Sequence, residues 1–161
     1  MIYRRLTKWR NLLFLMFLLQ TVVYSNASGE NLQPLTITTQ KGTCHFGCEV
    51  PQNNAERAKG LMFRQDLDEN QAMLFVFPND RIASMWMKNT YISLDMLFID
   101  SNGSIIFIAE NTTPLSEKGI SPPSPLQEQT RAVLEIKGGL VKKLGIQEND
   151  KIQHAAFPIQ D

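Results

Sequence analysis

Past its first thirty residues the chain carries its apolar positions in short alternating runs, the signature of strands, and only two brief stretches have helical spacing. "CHFGCEVP" alternates and is stopped by Pro51, which cannot donate to a ladder. Asn53 followed by Glu56 makes a capping box, and Gly60 supplies an exit, so a helix of about two turns lies between them. "AMLFVF", "IASMWMKN" and "ISLDMLFID" predict strands with apolar residues on both faces, as in a sheet buried on two sides or curled into a small barrel. Asn102 and Gly103 in "DSNGS" predict a hairpin turn into "IIFIAE". A proline-bearing loop of about 20 residues follows, long enough to be functional or mobile or a mere linker. "RAVLEIK" then reads as a strand, "GGLVKKLG" as a short amphipathic helix, and "IQENDKIQ" as a turn into a last strand. The predicted fold class is α+β, a twisted or small barrel-like, mainly antiparallel β-sheet with two short helices.

The first 27 residues stand apart from this pattern. Arg4, Arg5, Lys8 and Arg10 precede the apolar run "NLLFLMFLLQTVV", and Ser25 and Ala27 are the small residues before a cut. That arrangement is a secretory signal, cleaved after Ala27 or kept as an N-terminal membrane anchor. Residues 28–40 read as a linker with a possible edge strand at Leu35 to Thr39, and residues 41–161 as a single globular domain. The expected location is exported, periplasmic or envelope-associated, with membrane contact only through the first segment if it is uncleaved.

Charge sharpens the picture once that segment is set aside. The whole chain balances 16 basic against 16 acidic residues, but residues 1–27 hold four of the basic ones and none of the acidic ones. The remainder is therefore near minus four, which gives no pull toward nucleic acid or anionic lipid. Cys44 and Cys48 would share one face of a strand about 13 Å apart, too far for a disulfide. Two small buried hydrophobes, a bridge across a tight loop, and a metal role are the readings of that pair. Met73, Met85, Met87 and Met96 suit either soft monovalent copper or the filling of an irregular core. Neither points firmly enough to a metal to predict one, and no cofactor is expected.

The polar stretch "WMKNT", set between "MLFVF" and "LDMLFID", is the candidate site. With "ERAKGLMFRQDL", "MLFVFP", "VLEIKGG" and "LGIQENDKI" in this order and spacing, it resembles domain-of-unknown-function family 192, small exported prokaryotic proteins. The resemblance runs from about Phe46 to Ile152. It implies a compact α+β fold with a small barrel-like sheet and no established activity. The family's recurring positions fall here on residues 60–64, on Met73, Leu74, Phe75 and Phe77, on residues 86–90, and on Leu94, Asp95, Phe98 and Asp100. Where the family usually has glycine then aspartate in a late turn, this chain has Asn149 and Asp150, and asparagine tolerates the same backbone angle.

Three readings of that centre follow. In a strand, Trp86, Lys88 and Thr90 share one face, and Asp95 and Arg64 are the best partners for Lys88 in a buried network that locks the sheet. Alternatively, Arg64 and Lys88 hold an anionic group, Asn89 and Thr90 supply directional hydrogen bonds, and Trp86 offers a wall to a sugar ring or small aromatic. In the third reading Asp95 is a general base, although no histidine lies nearby and no serine sits in a nucleophile turn. A small-molecule ligand is thus the expected partner, with any protein partner open.

Overall fold

The computed structural model describes residues 32–77 and 83–157. The expected export segment, residues 78–82 and the last four residues lie outside them. Seven strands and three short helices follow in the order β1 (Gln33–Thr39), β2 (Gly42–Glu49), α1 (Asn54–Lys59), β3 (Gln71–Val76), β4 (Leu94–Ile99), β5 (Ile105–Ala109), α2 (Leu126–Gln129), β6 (Ala132–Lys137), α3 (Leu140–Leu144) and β7 (Lys151–Gln153). None of these helices is long and apolar enough to cross a membrane.

The strands form one sheet in the order β5-β4-β6-β3-β2-β1-β7. Every neighbouring pair is antiparallel except β2 and β3, which run parallel because the connection through α1 returns the chain to the same end. β1 is therefore not the edge strand its polar alternation suggested. β7 adds beside it, Ile37 opposite Ile152.

The two ends of the sheet also meet, which nearly closes it into a barrel. Ile105 donates its N–H to Asp150 O at 3.0 Å, Asn149 to Ile105 O at 2.8 Å, and Ile152 to Gly103 O at 2.8 Å. Gly103 has φ 73, and a Cβ there would lie 2.7 Å from the Ile152 carbonyl oxygen, so the hairpin turn needs glycine for its angle and for its space. Asn149 adopts φ 75 without being glycine, and Asp150 Oδ2 accepts the Gln147 N–H at 2.8 Å to hold that turn.

Two cores account for strands that are apolar on both faces. The inner face carries Leu35, Phe46, Leu74, Leu97 and Leu134, and α3 stops the barrel with Leu140 and Val141. The outer face of β3, β6 and β4 carries Met73, Phe75, Val133, Met96 and Phe98, covered by Leu61, Leu67, Met85 and Met87 from irregular segments. Each such fully buried side chain contributes about 1.5–3 kcal/mol. The methionines thus fill the outer core. Cys44 and Cys48 flank Phe46 on the inner face as free thiols. Burial pushes Cys48 up to about 12 and raises Cys44 as well, which disfavours the thiolate at both.

Around α1 the local chemistry runs as the sequence implied. Asn53 Oδ1 accepts the Glu56 N–H at 2.9 Å, and Gly60 (φ 47) ends the helix with its N–H on Glu56 O. The reciprocal half of the box is displaced by one residue, since Glu56 accepts from the Gln52 N–H.

Candidate functional site

Residues 83–90 are not the strand that their alternation predicts. Burial does alternate, with Ala83, Met85 and Met87 buried and Ser84 and Trp86 exposed. Up to Met87 the backbone, however, pairs with the proline-bearing segment that covers it and not with a strand of the sheet. Met85 and Ile120 exchange N–H···O bonds of 2.9 and 2.8 Å, and Met87 donates to Ser116 O at 2.9 Å. The segment is a cover over the outer core, two-faced like a strand but outside the sheet.

At its end the chain turns. Asn89 takes φ 54, and Thr90 donates back to Met87 O at 3.0 Å. The carbonyls exposed by the turn are taken up at once, Asn89 O by the Phe63 N–H at 2.8 Å and Thr90 O by the Leu115 N–H at 3.0 Å. Phe63 and Leu115 themselves have φ 66 and 62, uncommon for bulky side chains. Thr90 is buried, with its hydroxyl on Lys88 O at 3.2 Å. Trp86 stays 48% exposed. The Lys88 ammonium lies 5.2 Å from the centre of its ring and 3.8 Å from a Glu117 carboxylate oxygen.

The expected partners of Lys88 are elsewhere. Asp95 is on the inner face of β4, fully buried. It accepts the Asn111 N–H at 2.7 Å and, from the first turn of α3, the Val141 N–H at 2.9 Å. That ties two connections to the sheet and leaves no path to Lys88. Arg64 pairs with Glu49 at 2.5 Å. Both line a groove of about 540 Å³ with Gln33, Glu56 and Lys59. Arg64 and Lys88 are therefore brought to two recesses on either side of Lys59 and Gly60, and not to one.

The second recess holds the residue that sequence reasoning missed. Glu135 sits in the middle of β6, opposite Met73 of β3 and Met96 of β4, on the outer face with Val133. It is only 4% exposed. Burial alone pushes its carboxyl up to about 8, so it keeps its proton at neutral pH. Among the described residues no hydrogen bond or ion pair reaches it. It lines a pocket of about 30 Å³, roughly the volume of one water. Residues 57–62, Phe75, Met85, Trp86, Lys88 and Thr90 line that pocket with it. The signal was present in "VLEIK", a lone acid in an apolar strand, the same anomaly that drew attention to Lys88.

Of the six sequence-predicted residues the pocket thus gathers Trp86, Lys88 and Thr90, adds Glu135, and leaves Arg64 in the neighbouring groove. Asn89 shapes the turn and places its side-chain amide 3.9 Å from the Met62 sulfur. Asp95 is remote. No group of three or more His, Cys, Asp or Glu side chains among the described residues is arranged to hold a metal ion.

No curated protein matches the sequence. Solved structures do, two of them at 38 and 39% identity. One is a protein of unknown function from Novosphingobium aromaticivorans, 38% identical, covering 80% of this chain and 89% of its own with a TM-score of 0.71. The other is a Sinorhizobium meliloti 1021 protein named as a candidate transcription regulator, 39% identical, covering 77% and 94% with a TM-score of 0.70. The profile of DUF192, described as "Uncharacterized ACR", matches residues 36–154, from β1 to the end of β7 and across both recesses. This chain belongs to the DUF192 family.

Proposed function

We propose that this is an exported envelope domain that binds a small organic anion, a carboxylate in the first instance, in the pocket between residues 57–62 and residues 85–90. The observation that carries this reading is Glu135, a buried acid with no partner among the described residues, which lines that pocket. Held neutral, it is a hydrogen-bond donor toward an oxyanion, and O–H···O⁻ bonds are among the stronger ones. Arg57, Lys59 and Lys88 line the same pocket and supply positive charge at its rim. A cation would meet three like charges there. A sugar ring would have to displace Lys88 from the Trp86 face, which favours an anion over a neutral ring.

The larger groove supports the reading less well, because its Arg64 is already matched by Glu49. An enzyme using Asp95 finds no support in the geometry, since that carboxylate is buried and engaged at both oxygens. A second reading, a scaffold domain in which the polar turn serves only stability, is favoured by the bonds that Asn89 and Thr90 make to Phe63 and Leu115. The near minus four charge past residue 27 keeps nucleic acid out of either reading. Membrane contact, in both, is confined to the first segment.

Thermal unfolding at pH 6 against acetate, benzoate, phosphate and neutral sugars separates these readings. A ligand at 100 times its dissociation constant adds about 2.7 kcal/mol, a shift of several degrees. The shift is expected with carboxylates and is lost in both Lys88→Ala and Glu135→Ala. Absence of a shift with every anion tested would leave the scaffold reading in place.

A further inference from the structure

The body of the anion, beyond its carboxylate, is legible from what surrounds the pocket. Six large apolar side chains are exposed among the described residues, and four of them, Phe63, Trp86, Tyr91 and Leu115, belong to the 86–91 turn or are bonded to it. They are exposed by 55, 48, 45 and 57%. The Phe63 and Tyr91 rings meet edge to face with centroids 6.2 Å apart. Phe63 and Leu115 are held outward at positive φ by N–H bonds to Asn89 O and Thr90 O, so the fold over-determines two unfavourable backbone angles to present apolar surface to solvent.

Size and polarity narrow the occupant. At ~150–250 Å² for a whole aromatic side chain, four half-exposed groups offer on the order of 400 Å², within the range of apolar patches that are often functional. A folded partner of ordinary kind needs about 800 Å² on each side, twice that, and a single-ring acid covers far less. A few residues of extended chain fit between these limits. At about 30 Å³ the pocket has room for one carboxylate oxygen and not for a side chain. Trp86 lines the pocket itself, Tyr91 follows the turn that borders it, and Phe63 and Leu115 are bonded to that turn. A chain end offers such a carboxylate with apolar side chains immediately before it, which suits an acid-and-cation pocket set beside exposed apolar surface. The cationic rim of Arg57, Lys59 and Lys88 complements the negative charge of that end.

Resting on the anion-binding reading, we infer that the site captures the C-terminal carboxylate of an extended protein tail whose last residues are apolar. Capture of a chain end is a known mode of peptide recognition. The carboxylate meets Glu135 and Lys88, and the preceding side chains lie on Trp86, Tyr91, Phe63 and Leu115.

The test is fluorescence anisotropy with the full chain in mild detergent and a labelled hexapeptide ending in Phe-Leu, as free acid and as C-terminal amide. The free acid should bind at least tenfold more tightly than the amide, and acetate should compete weakly. Phe63→Gly with Leu115→Gly removes half of the apolar surface at positions whose φ suits glycine, so the fold is kept. This double variant should lose at least tenfold in peptide affinity while its acetate-induced thermal shift is unchanged. Equal binding of acid and amide overturns the inference, as does peptide binding that survives the double glycine variant. If acetate shifts the melting temperature but neither peptide binds, the inference falls and the anion-binding reading stands. If neither acetate nor peptide acts, both fall.

Discussion

Asp95 and Glu135 are acids on neighbouring strands of one sheet, one register position apart, and they face opposite sides of it: Asp95 pairs with Ile136, and Glu135 with Met96. On the inner face Asp95 satisfies two backbone N–H groups. On the outer face Glu135 has no hydrogen-bond partner among the described residues, and burial keeps it protonated. A single step along β6 separates an acid that holds the fold from one free to meet a ligand.

Asp95→Ala should therefore cost about 3 kcal/mol, since it strands two N–H donors at about 1–3 kcal/mol each. Lys88→Ala should cost under about 1 kcal/mol, because its pair with Glu117 is exposed and its contact with Trp86 lies at the surface. In urea unfolding of the double-mutant cycle the coupling should stay within about 0.5 kcal/mol. A coupling of 2 kcal/mol or more, on the order of a shared network, would restore the buried lattice.

Glu135 makes stability fall as pH rises. An unfolded glutamate loses its proton near 4.5 and the folded one at about 8. Between those values the folded state holds a proton that the unfolded state has released, so stability declines from pH 4.5 through 8 and is level above. By pH 7 the loss is on the order of 3 kcal/mol. Glu135→Gln stays neutral and lacks this slope, so urea midpoints at pH 5, 6, 7 and 8 should diverge with the variant above its parent. Parallel curves would contradict a neutral buried acid.

Ligand affinity shares the same group with its own sign. Below pH 8 Glu135 donates to the anion, and above it a second negative charge repels it. The acetate-induced shift should shrink between pH 7 and 9 while the shift in Glu135→Gln stays flat.

Phe63→Gly offers a check on backbone strain. The substitution removes a half-exposed ring and relieves φ 66, so stability should change by less than about 1 kcal/mol. Asn149→Ala, at φ 75 with no glycine-like freedom, should cost about 1 kcal/mol, and Asn149→Gly should cost nothing. Thermal midpoints of the three variants decide it.

Most strands were legible because half-buried and doubly buried strands leave plain patterns: β2, β3, β4, β6 and the turn at Gly103 lie where alternation and turn residues put them. Residues 83–90 deceived because alternation reports which side is covered and not which backbone accepts the hydrogen bonds. Met85 and Met87 are buried by lying on the sheet, not by joining it. Asp95 was paired with Lys88 because both interrupt apolar runs. The sheet face that separates them depends on strand order, which one chain's pattern does not encode. Glu135 fell within a motif read for its apolar residues, and its lack of a partner is a fact of three dimensions.

The meeting of β5 with β7 has one more effect. Sheets end in rows of unpaired N–H and C=O groups, which recruit strands from other molecules and seed fibres. Here the facing ends of the two outermost strands spend those groups on each other, at Ile105, Asn149 and Ile152. A domain that displays four large apolar side chains would be at risk of stacking copy upon copy if it also offered an open border. With its border drawn in, its stickiness resides in side chains, which choose partners by shape and charge instead of by backbone alone.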